Sequence, residues 1–289
     1  MTTSNIYKPE GSVTLDEINN QQQIRLGLQG FPGVGKTWAA LTFPNPIVIN
    51  LDRGLGAHTG RSDVIEIPLW NKDYCKRTDV NPNHKDASNL KDTILMWLKS
   101  HGKKLTEEQT LVFDGGTALQ NAFHRNAEAN PVVTATGSFD KFAVWRLKVD
   151  YFGEICELFK TLKCHVVYIC HESEKKDSDG AYSGKIRPLL TGQFGDQIVS
   201  HFSDWFRSMS RSKLAEEKIT DKELALWSMD KKQFIEMQNS FPRNTIYYWL
   251  TEGDDQIDCK ASSLVNFPHY LPAHYTSFKA YAKQVKSII

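Results

Sequence analysis

The sequence predicts an α/β fold, in which a mostly parallel, twisted sheet is covered by helices on both faces. Three observations support this prediction. Short, almost continuously apolar runs alternate with helix-like segments up to about residue 203. Apolar runs of this kind are typical of parallel strands that are buried on both faces. A glycine-rich segment joins the first apolar run to the first helical segment, and the pattern changes after residue 203.

Five apolar runs are the predicted strands of the first part of the chain. They are Ile24–Gln29, Pro46–Leu51, Val64–Ile67, Thr110–Asp114 and His165–Cys170. Most segments between them predict helices because their apolar residues recur with a period of about 3.6. The predicted helices are Trp38–Leu41, Asp86–Ser100, Thr117–Ala129 and Phe142–Leu162.

The last part of the chain predicts further strands. Trp205–Met209 and Ile246–Leu250 are apolar enough to be buried. We expect the second of them to form a hairpin with Ile257–Lys260, with its turn at Gly253–Asp255.

The remaining segments set the predicted domain boundaries. A charged helical segment at about 211–243 predicts an insertion, and Ala273–Lys286 predicts a final helix. Residues 1–22 are polar and predict a flexible arm. Residues 23–289 are therefore predicted to form a single domain.

Composition excludes several classes of protein. The chain has 289 residues and a formal net charge of +1, so no overall basic character indicates nucleic acid. No run approaches the roughly 18 apolar residues that span a bilayer, so no membrane partner is expected. The N-terminus lacks the pattern of a signal peptide. Five cysteines fit reduced thiols better than a disulfide framework, which predicts a cytoplasmic location.

Two Cys-His pairs suggest a metal site at first sight. Cys164 and Cys170 flank one predicted strand and would lie about 20 Å apart along it. One zinc ion cannot contact both. We therefore interpret them as buried structural cysteines.

A phosphate-binding motif follows the first predicted strand. Gly30–Thr37 matches G-x-x-x-x-G-K-[ST] between a strand and a helix, the context that the motif requires. Its glycines permit positive φ and a close approach of backbone N–H groups to phosphate, and the helix dipole favours an anion. We expect Lys36 to reach the β- and γ-phosphates and Thr37 to bind Mg²⁺. The predicted nucleotide-binding residues are Gly30, Phe31, Pro32, Gly33, Val34, Gly35, Lys36, Thr37 and Trp38.

Three residues at strand ends are candidates for the chemistry. Asp114 ends an apolar strand, a Walker B arrangement that favours metal coordination, although it could also cap the next helix. Asp52 could polarise the water that attacks the γ-phosphate, or could be a turn residue before Gly54. His171 could sense the γ-phosphate, or could be an exposed histidine at a strand end.

The order of these motifs resembles the RecA-type core. The matching features are the phosphate loop, Asp52 with Gly54, Val112–Asp114 with Thr117–Leu119, His171-Glu172, Arg187–Gly192 and Cys259–Ala261. Over roughly residues 24–272 the chain is similar to a phage family of RecA-like nucleotide-binding proteins, AAA-type or RecA-core, that includes single-strand annealing recombinases.

The resemblance implies a set of roles. ATP and Mg²⁺ would be the cofactors. Asp52 would take the position of the catalytic acid, where RecA has a glutamate that is one methylene longer. Lys260 would be a cation that reaches the γ-phosphate of a neighbouring subunit. Ala261-Ser-Ser263 follows it in place of a second cation.

The resemblance also implies two DNA-binding loops, at about 126–141 and 172–192. The candidate DNA-binding residues are Lys141, Lys175, Lys176, Tyr182, Lys185 and Arg187. Cations neutralise phosphates and an aromatic ring stacks on a base. Glycine and serine predict that the second loop is flexible, and its four acidic residues leave a merely solvated loop as the alternative.

Three functions follow from these observations. The first is an ATPase of recombination or single-strand annealing, which binds single-stranded DNA and assembles head to tail with nucleotide between subunits. A single-strand-binding protein is a possible partner, and a phage protein of this kind would act in the host cytoplasm.

The second function is a nucleotide-switched loading module that uses apolar residues of the insertion, unless these pack on the domain's own core. Those residues are Leu224, Leu226, Trp227, Phe234 and Met237. The third is a small-molecule kinase with an arginine lid, for which Arg207 and Arg211 are the candidates. A GTPase is not expected because Asn71-Lys-Asp73 lacks the further aspartate of N-K-x-D.

Overall fold

A computed structural model gives the fold of most of the chain. It describes residues 23–52, 54–58, 60–67, 69, 90–129, 136–138, 140–176, 179–190, 193–212, 220–227, 229–241, 245–254, 257–261 and 268–279. The predicted arm at 1–22 and Cys75 lie outside these residues, as do the first residues of the helix that was predicted to begin at Asp86.

The described strands form one sheet. They are β1 (Arg25–Gly30), β2 (Pro46–Asn50), β3 (Ile65–Ile67), β4 (Thr110–Asp114), β5 (His165–Lys176), β6 (Tyr182–Pro188), β7 (Asp204–Ser212), β8 (Thr245–Leu250), β9 (Lys260–Ala261) and β10 (Tyr270–Pro272). Their order is β10-β8-β7-β1-β5-β4-β2-β3, while β6 pairs with β5 and β9 with β7.

The central part of the sheet is parallel, as the sequence predicts. Strands β3, β2, β4, β5, β1 and β7 pair in parallel, and β8 and β10 extend the sheet in antiparallel fashion. The carboxyl ends of the parallel strands therefore meet at one edge, and β5 separates β1 from β4 at that edge.

Helices connect the strands. They are α1 (Lys36–Ala40), α2 (Leu90–Ser100), α3 (Gly116–Ala129), α4 (Lys141–Thr161), α5 (Gln193–Gln197), α6 (Asp221–Leu226) and α7 (Lys231–Ser240). Short 3₁₀ turns lie at Gly54–His58, Gly102–Lys104 and Ile198–His201. Residues 275–279 are helical where the final helix was predicted. The described helices are too short or too polar to cross a membrane.

Alternating strand residues divide the core into two layers, one on each face of the sheet. Leu111 and Phe113 of β4 pack in the layer that contains residues of α2, α3 and α4. Val112, between them, packs in the other layer with residues of α1, α6 and α7. Helices therefore cover both faces, as the apolar strands predict.

The insertion packs on the domain's own core. Leu224, Trp227, Phe234 and Met237 are buried there, and the side chain of Leu226 lies outside the described residues. The indole Nε1 of Trp227 donates to the carbonyl oxygen of Tyr270 on the edge strand β10 at 2.8 Å. The insertion thus contacts the edge strand, and for these four residues the alternative of packing on the domain's own core is confirmed.

The prediction of a flexible loop at 172–192 is wrong for most of that segment. Strand β5 continues to Lys176 and pairs with β6 in antiparallel fashion, with Glu172 opposite Pro188. Gly180 has a φ of 84°, which suits the turn between the two strands. The segment was predicted to be a loop because it is polar and rich in glycine. Strands of a solvent-exposed ribbon, however, need no apolar run.

The predicted hairpin between Ile246–Leu250 and Ile257–Lys260 is also wrong. Strand β8 pairs with β7 and β10, whereas Lys260 of β9 pairs with Trp205 of β7. The reason lies in the length of β7, because β8 pairs only with Arg207–Ser212 and leaves the first residues of β7 for β9.

The interpretation of Cys164 and Cys170 as buried cysteines is confirmed. Cys156, Cys164 and Cys170 are buried as free thiols. Among the residues that the structure describes, no group of three or more His, Cys, Asp or Glu side chains could hold a metal ion.

Candidate active site

The phosphate loop needs glycine for both backbone and packing reasons. Gly33 and Gly35 have φ values of 82° and 81°, a conformation that other residues rarely adopt. A Cβ atom at Gly35 would overlap the ring of Tyr247, and one at Gly30 would lie 2.8 Å from the carbonyl oxygen of Ser208. The loop therefore forms a main-chain cradle that packs too closely on β7 and β8 for side chains at Gly30 and Gly35.

The side chain of Lys36 lies inside this loop. The side chain is 6% exposed, and its Nζ donates to the carbonyl oxygens of Gly30 and Phe31 at 2.8 Å each. Burial lowers the pKa of Lys36, while the charges of nearby carboxylates such as Asp114 oppose the decrease. The loop is thus folded around a cation, which suits a phosphate ligand.

Asp114 and Thr37 bring two oxygen atoms together beside the loop. The Thr37 hydroxyl donates to Oδ2 of Asp114 at 2.7 Å. Burial raises the pKa of Asp114 to about 6, against the hydrogen bond from Thr37. Carboxylate and hydroxyl oxygens are ligands that suit Mg²⁺. The contact with Thr37 favours the metal-binding interpretation of Asp114 over the helix-capping one.

Asp52 lies next to this pair. Gly115, with a φ of 117°, makes room for it, because a Cβ atom there would lie 3.0 Å from Oδ1 of Asp52. Oδ2 of Asp52 is 3.5 Å from Nε2 of His171, and the Asp52 side chain is 30% exposed. Asp52 is therefore a water-accessible carboxylate beside a buried one, and a base must be within reach of the water that it deprotonates.

The fold brings five of the predicted residues together. Lys36, Thr37, Asp52, Asp114 and His171 lie at the carboxyl ends of β1, β2, β4 and β5, which we call the phosphate edge. The main-chain cradle, the cation and the oxygen pair fit a nucleotide and Mg²⁺.

Lys260 does not join this group. Its Nζ donates at 2.9 Å to the carbonyl oxygen of Phe202, which precedes the amino end of β7. The pairing of β9 with Trp205 holds Lys260 at this end, away from the phosphate edge of its own chain. A role toward a neighbouring subunit stays a prediction.

Five of the six candidate DNA-binding residues are distributed along the β5–β6 ribbon, whereas Lys141 begins α4. Nζ of Lys185 is 3.0 Å from Oδ1 of Asp258, and Lys175 and Arg187 are half-buried. The carboxylate of Glu174 accepts from the main-chain N–H of Gly184, so this acid helps to hold the ribbon itself. The side chains of Lys141, Lys176 and Tyr182 lie outside the described residues.

Sequence reasoning did not find a buried ion pair behind the loop. Arg207 donates to both carboxylate oxygens of Glu172, from Nε to Oε2 at 2.9 Å and from Nη2 to Oε1 at 2.8 Å. The residues lie on β7 and β5, which flank β1. The available signals were a charged residue just after one apolar run, Glu172, and one within another, Arg207, but their use requires the strand order.

Fold and site together define a P-loop NTPase. Comparison with protein families agrees, because the model of a family described as an AAA domain matches residues 22–236. The chain belongs to this family of P-loop AAA-type ATPases. No curated protein matches the chain. Family membership implies a nucleotide and Mg²⁺ as the ligands of the phosphate edge.

Proposed function

We propose that this chain hydrolyses ATP with Mg²⁺ and couples the reaction to single-stranded DNA, as a recombination or strand-annealing protein of the phage RecA-like type. The observation that carries the ATPase part is the convergence of Lys36, Thr37, Asp114 and Asp52 at the phosphate edge.

Each residue has a distinct role in this proposal. Lys36 binds the β- and γ-phosphates, and Thr37 with Asp114 holds Mg²⁺, which neutralises charge that develops on the phosphate oxygens. Asp52 accepts a proton from water as that water attacks the γ-phosphorus and the bond to ADP breaks. The contact of 3.5 Å with Nε2 of His171 orients the Asp52 carboxylate.

Substitution of the loop lysine tests the ATPase part. Lys36→Ala should abolish ATP turnover and weaken nucleotide binding at least tenfold, because the buried cation is removed from the cradle. The measurements are phosphate release and binding of a fluorescent ATP analogue, with circular dichroism as the check of folding. Lys104→Ala, which changes an exposed lysine, is the matched control. ATP turnover retained in Lys36→Ala would contradict the assignment of the ATPase site to this loop.

Single-stranded DNA is the partner that we propose for the β5–β6 ribbon. Support comes from the position of the ribbon, because β5 runs from His171 at the phosphate edge directly into it. The ribbon also carries the basic residues Lys175, Lys176, Lys185 and Arg187. A ligand on this ribbon would therefore act on the residue next to Asp52.

The DNA proposal predicts that hydrolysis is faster with single-stranded DNA at fixed salt. Changing Lys175, Lys176 and Arg187 together to Ala should weaken DNA binding and flatten its salt dependence, since fewer counterions are released. Lys103, Lys104 and Lys231, which are exposed and lie elsewhere, supply a control of equal charge when changed together to Ala. Equal DNA binding by the two triple variants would remove the ribbon from the DNA site.

Self-association head to tail, with nucleotide between subunits, is part of the same proposal. Analytical ultracentrifugation with ATP and DNA tests it. The mass of a single subunit under every condition would contradict it.

Two alternatives have less support. The apolar residues of the insertion are buried in the core, so they do not supply the docking face of a loading module. Arg207 is bound to Glu172, and the guanidinium of Arg211 lies 4.4 Å from the centre of the Tyr248 ring, so neither forms the lid of a kinase.

A further inference from the structure

The buried ion pair of Glu172 and Arg207 lies behind the phosphate loop. Arg207 is the neighbour of Gln29 in the pairing of β7 with β1, and His171 is the neighbour of Gly30 in the pairing of β5 with β1. Glu172 follows His171 directly. The pair thus bridges β5 and β7 across the end of β1, at the residue from which the loop begins.

The pair is well formed and shielded from solvent. Three contacts of 2.8–3.2 Å join the guanidinium to the carboxylate. The side chain of Glu172 is 1% exposed and that of Arg207 is 18% exposed. Water therefore does little to screen either charge, so each charge acts on its neighbours with much of its full strength when the other is removed.

Lys36 lies close to this pair through the first residue of the loop. Its Nζ donates to the carbonyl oxygen of Gly30 at 2.8 Å, and Gly30 pairs with His171, the residue before Glu172. The guanidinium of Arg207 neutralises the Glu172 carboxylate in fork geometry. Without Arg207, the full charge of the buried Glu172 carboxylate would compete with phosphate for Lys36.

We propose that Arg207 is a positioning residue of the nucleotide site, which neutralises Glu172 and so keeps the charge of Lys36 available to phosphate. Arg207 acts through Glu172 and Lys36, not by contact with the ligand. The inference rests on the proposed nucleotide binding, and it adds a residue to that site.

The sign of the effect separates this role from a merely structural one. Arg207→Gln leaves a buried anion behind the loop, and nucleotide affinity should fall at least tenfold. Glu172→Gln removes that anion, and affinity should stay the same or increase. The double variant removes both charges and should return to within about threefold of the wild type. A structural clamp would instead make both single variants weaker.

Charge and geometry are separated by one more variant. Arg207→Lys keeps the cation but loses the fork that contacts both carboxylate oxygens. We expect its affinity to lie within about threefold of the wild type. If Arg207→Gln is too unstable to measure, Arg207→Lys and Glu172→Gln are compared instead. Both should keep their affinity if the charge matters, and both should lose it if the fork geometry matters.

Binding of a fluorescent ATP analogue with Mg²⁺ is the measurement, at two salt concentrations, with thermal unfolding of every variant. Lys99 and Glu154 form an exposed ion pair at 2.7 Å on α2 and α4, and their Gln variants supply controls with the same charge changes. We expect these controls to stay within about twofold of the wild type.

The outcomes distinguish this inference from the proposed function. If the wild type does not bind the analogue, or Lys36→Ala binds it equally well, both fall. If binding depends on Lys36 but Arg207→Gln is unchanged, or Glu172→Gln weakens binding as much as Arg207→Gln does, only the role of Arg207 is overturned.

Discussion

The phosphate edge and the antiparallel flank of the sheet, formed by β8, β10, α6 and α7, bury opposite kinds of side chain. At the edge, Lys36, Asp114 and Glu172 are each at most 6% exposed. On the flank, the buried side chains are apolar or aromatic, such as Trp249 and Phe234. Buried charges cost free energy, while buried aromatic rings supply it. The flank therefore stabilises a site whose buried charges are unfavourable by themselves.

Truncation of the flank should have the largest effect on stability. Trp249 is fully buried, with the rings of Phe206 and Phe43 at centroid distances of 5.8 and 6.5 Å. Trp249→Ala should lower the free energy of unfolding by about 3–5 kcal/mol, measured by urea denaturation. Trp145→Ala, at an exposed tryptophan, is the control and should cost less than about 1 kcal/mol.

Nucleotide affinity of the folded Trp249→Ala protein tests whether the flank is only a scaffold. If the flank acts as a scaffold, the affinity of the folded fraction should stay within about twofold. A loss of affinity as large as that of Lys36→Ala would mean that the flank forms part of the site.

Removal of a charge from the phosphate edge should have the opposite sign. Burial raises the pKa of Asp114 from 3.8 to about 6, so ionised Asp114 destabilises the fold at pH 7. Two pKa units correspond to about 3 kcal/mol. Asp114→Asn should therefore raise the free energy of unfolding at pH 7 by up to about 3 kcal/mol, while ATP turnover is lost.

The effect of Asp114 on stability depends on pH. Protonated Asp114 contributes stability below its unfolded pKa of 3.8, and this contribution is lost as the pH rises through about 6. The gain from Asp114→Asn should thus be largest at pH 7 and vanish near pH 4. An equal difference at both pH values would rule out this explanation. Asp92→Asn, at an exposed carboxylate, serves as the control.

The contrast between the two regions also explains what the sequence predicts. The parallel strands are almost continuously apolar, and Thr110–Asp114 was predicted with its observed bounds. Asp52, Asp114 and His171 lie at the carboxyl ends of parallel strands or within two residues of them, so their convergence follows from the fold class. Their catalytic roles stay predictions.

Pairings on the other side of the sheet depend on strand order and strand length, which short patterns do not contain. The loop at Gly253 resembles a hairpin turn, yet β8 found its partners in β7 and β10. For the same reason the ion pair of Glu172 and Arg207 was missed, because it joins strands that are neighbours of β1 only in space. Lys260, assigned by resemblance alone, lies away from the phosphate edge.

A contact between Gly35 and Tyr247 joins the two regions, and the smallest predicted effect comes from it. Gly33 and Gly35 have nearly equal φ values, so alanine should cost about 1–2 kcal/mol of backbone strain at either position. A Cβ atom at Gly35 would also overlap the ring of Tyr247 on β8, whereas no described atom lies within 4 Å of one at Gly33. Gly35→Ala should therefore lower the free energy of unfolding by about 1–3 kcal/mol more than Gly33→Ala does. Equal losses in urea denaturation would mean that the Tyr247 ring moves aside for the added Cβ atom. In that case Tyr247 does not fix the shape of the phosphate cradle.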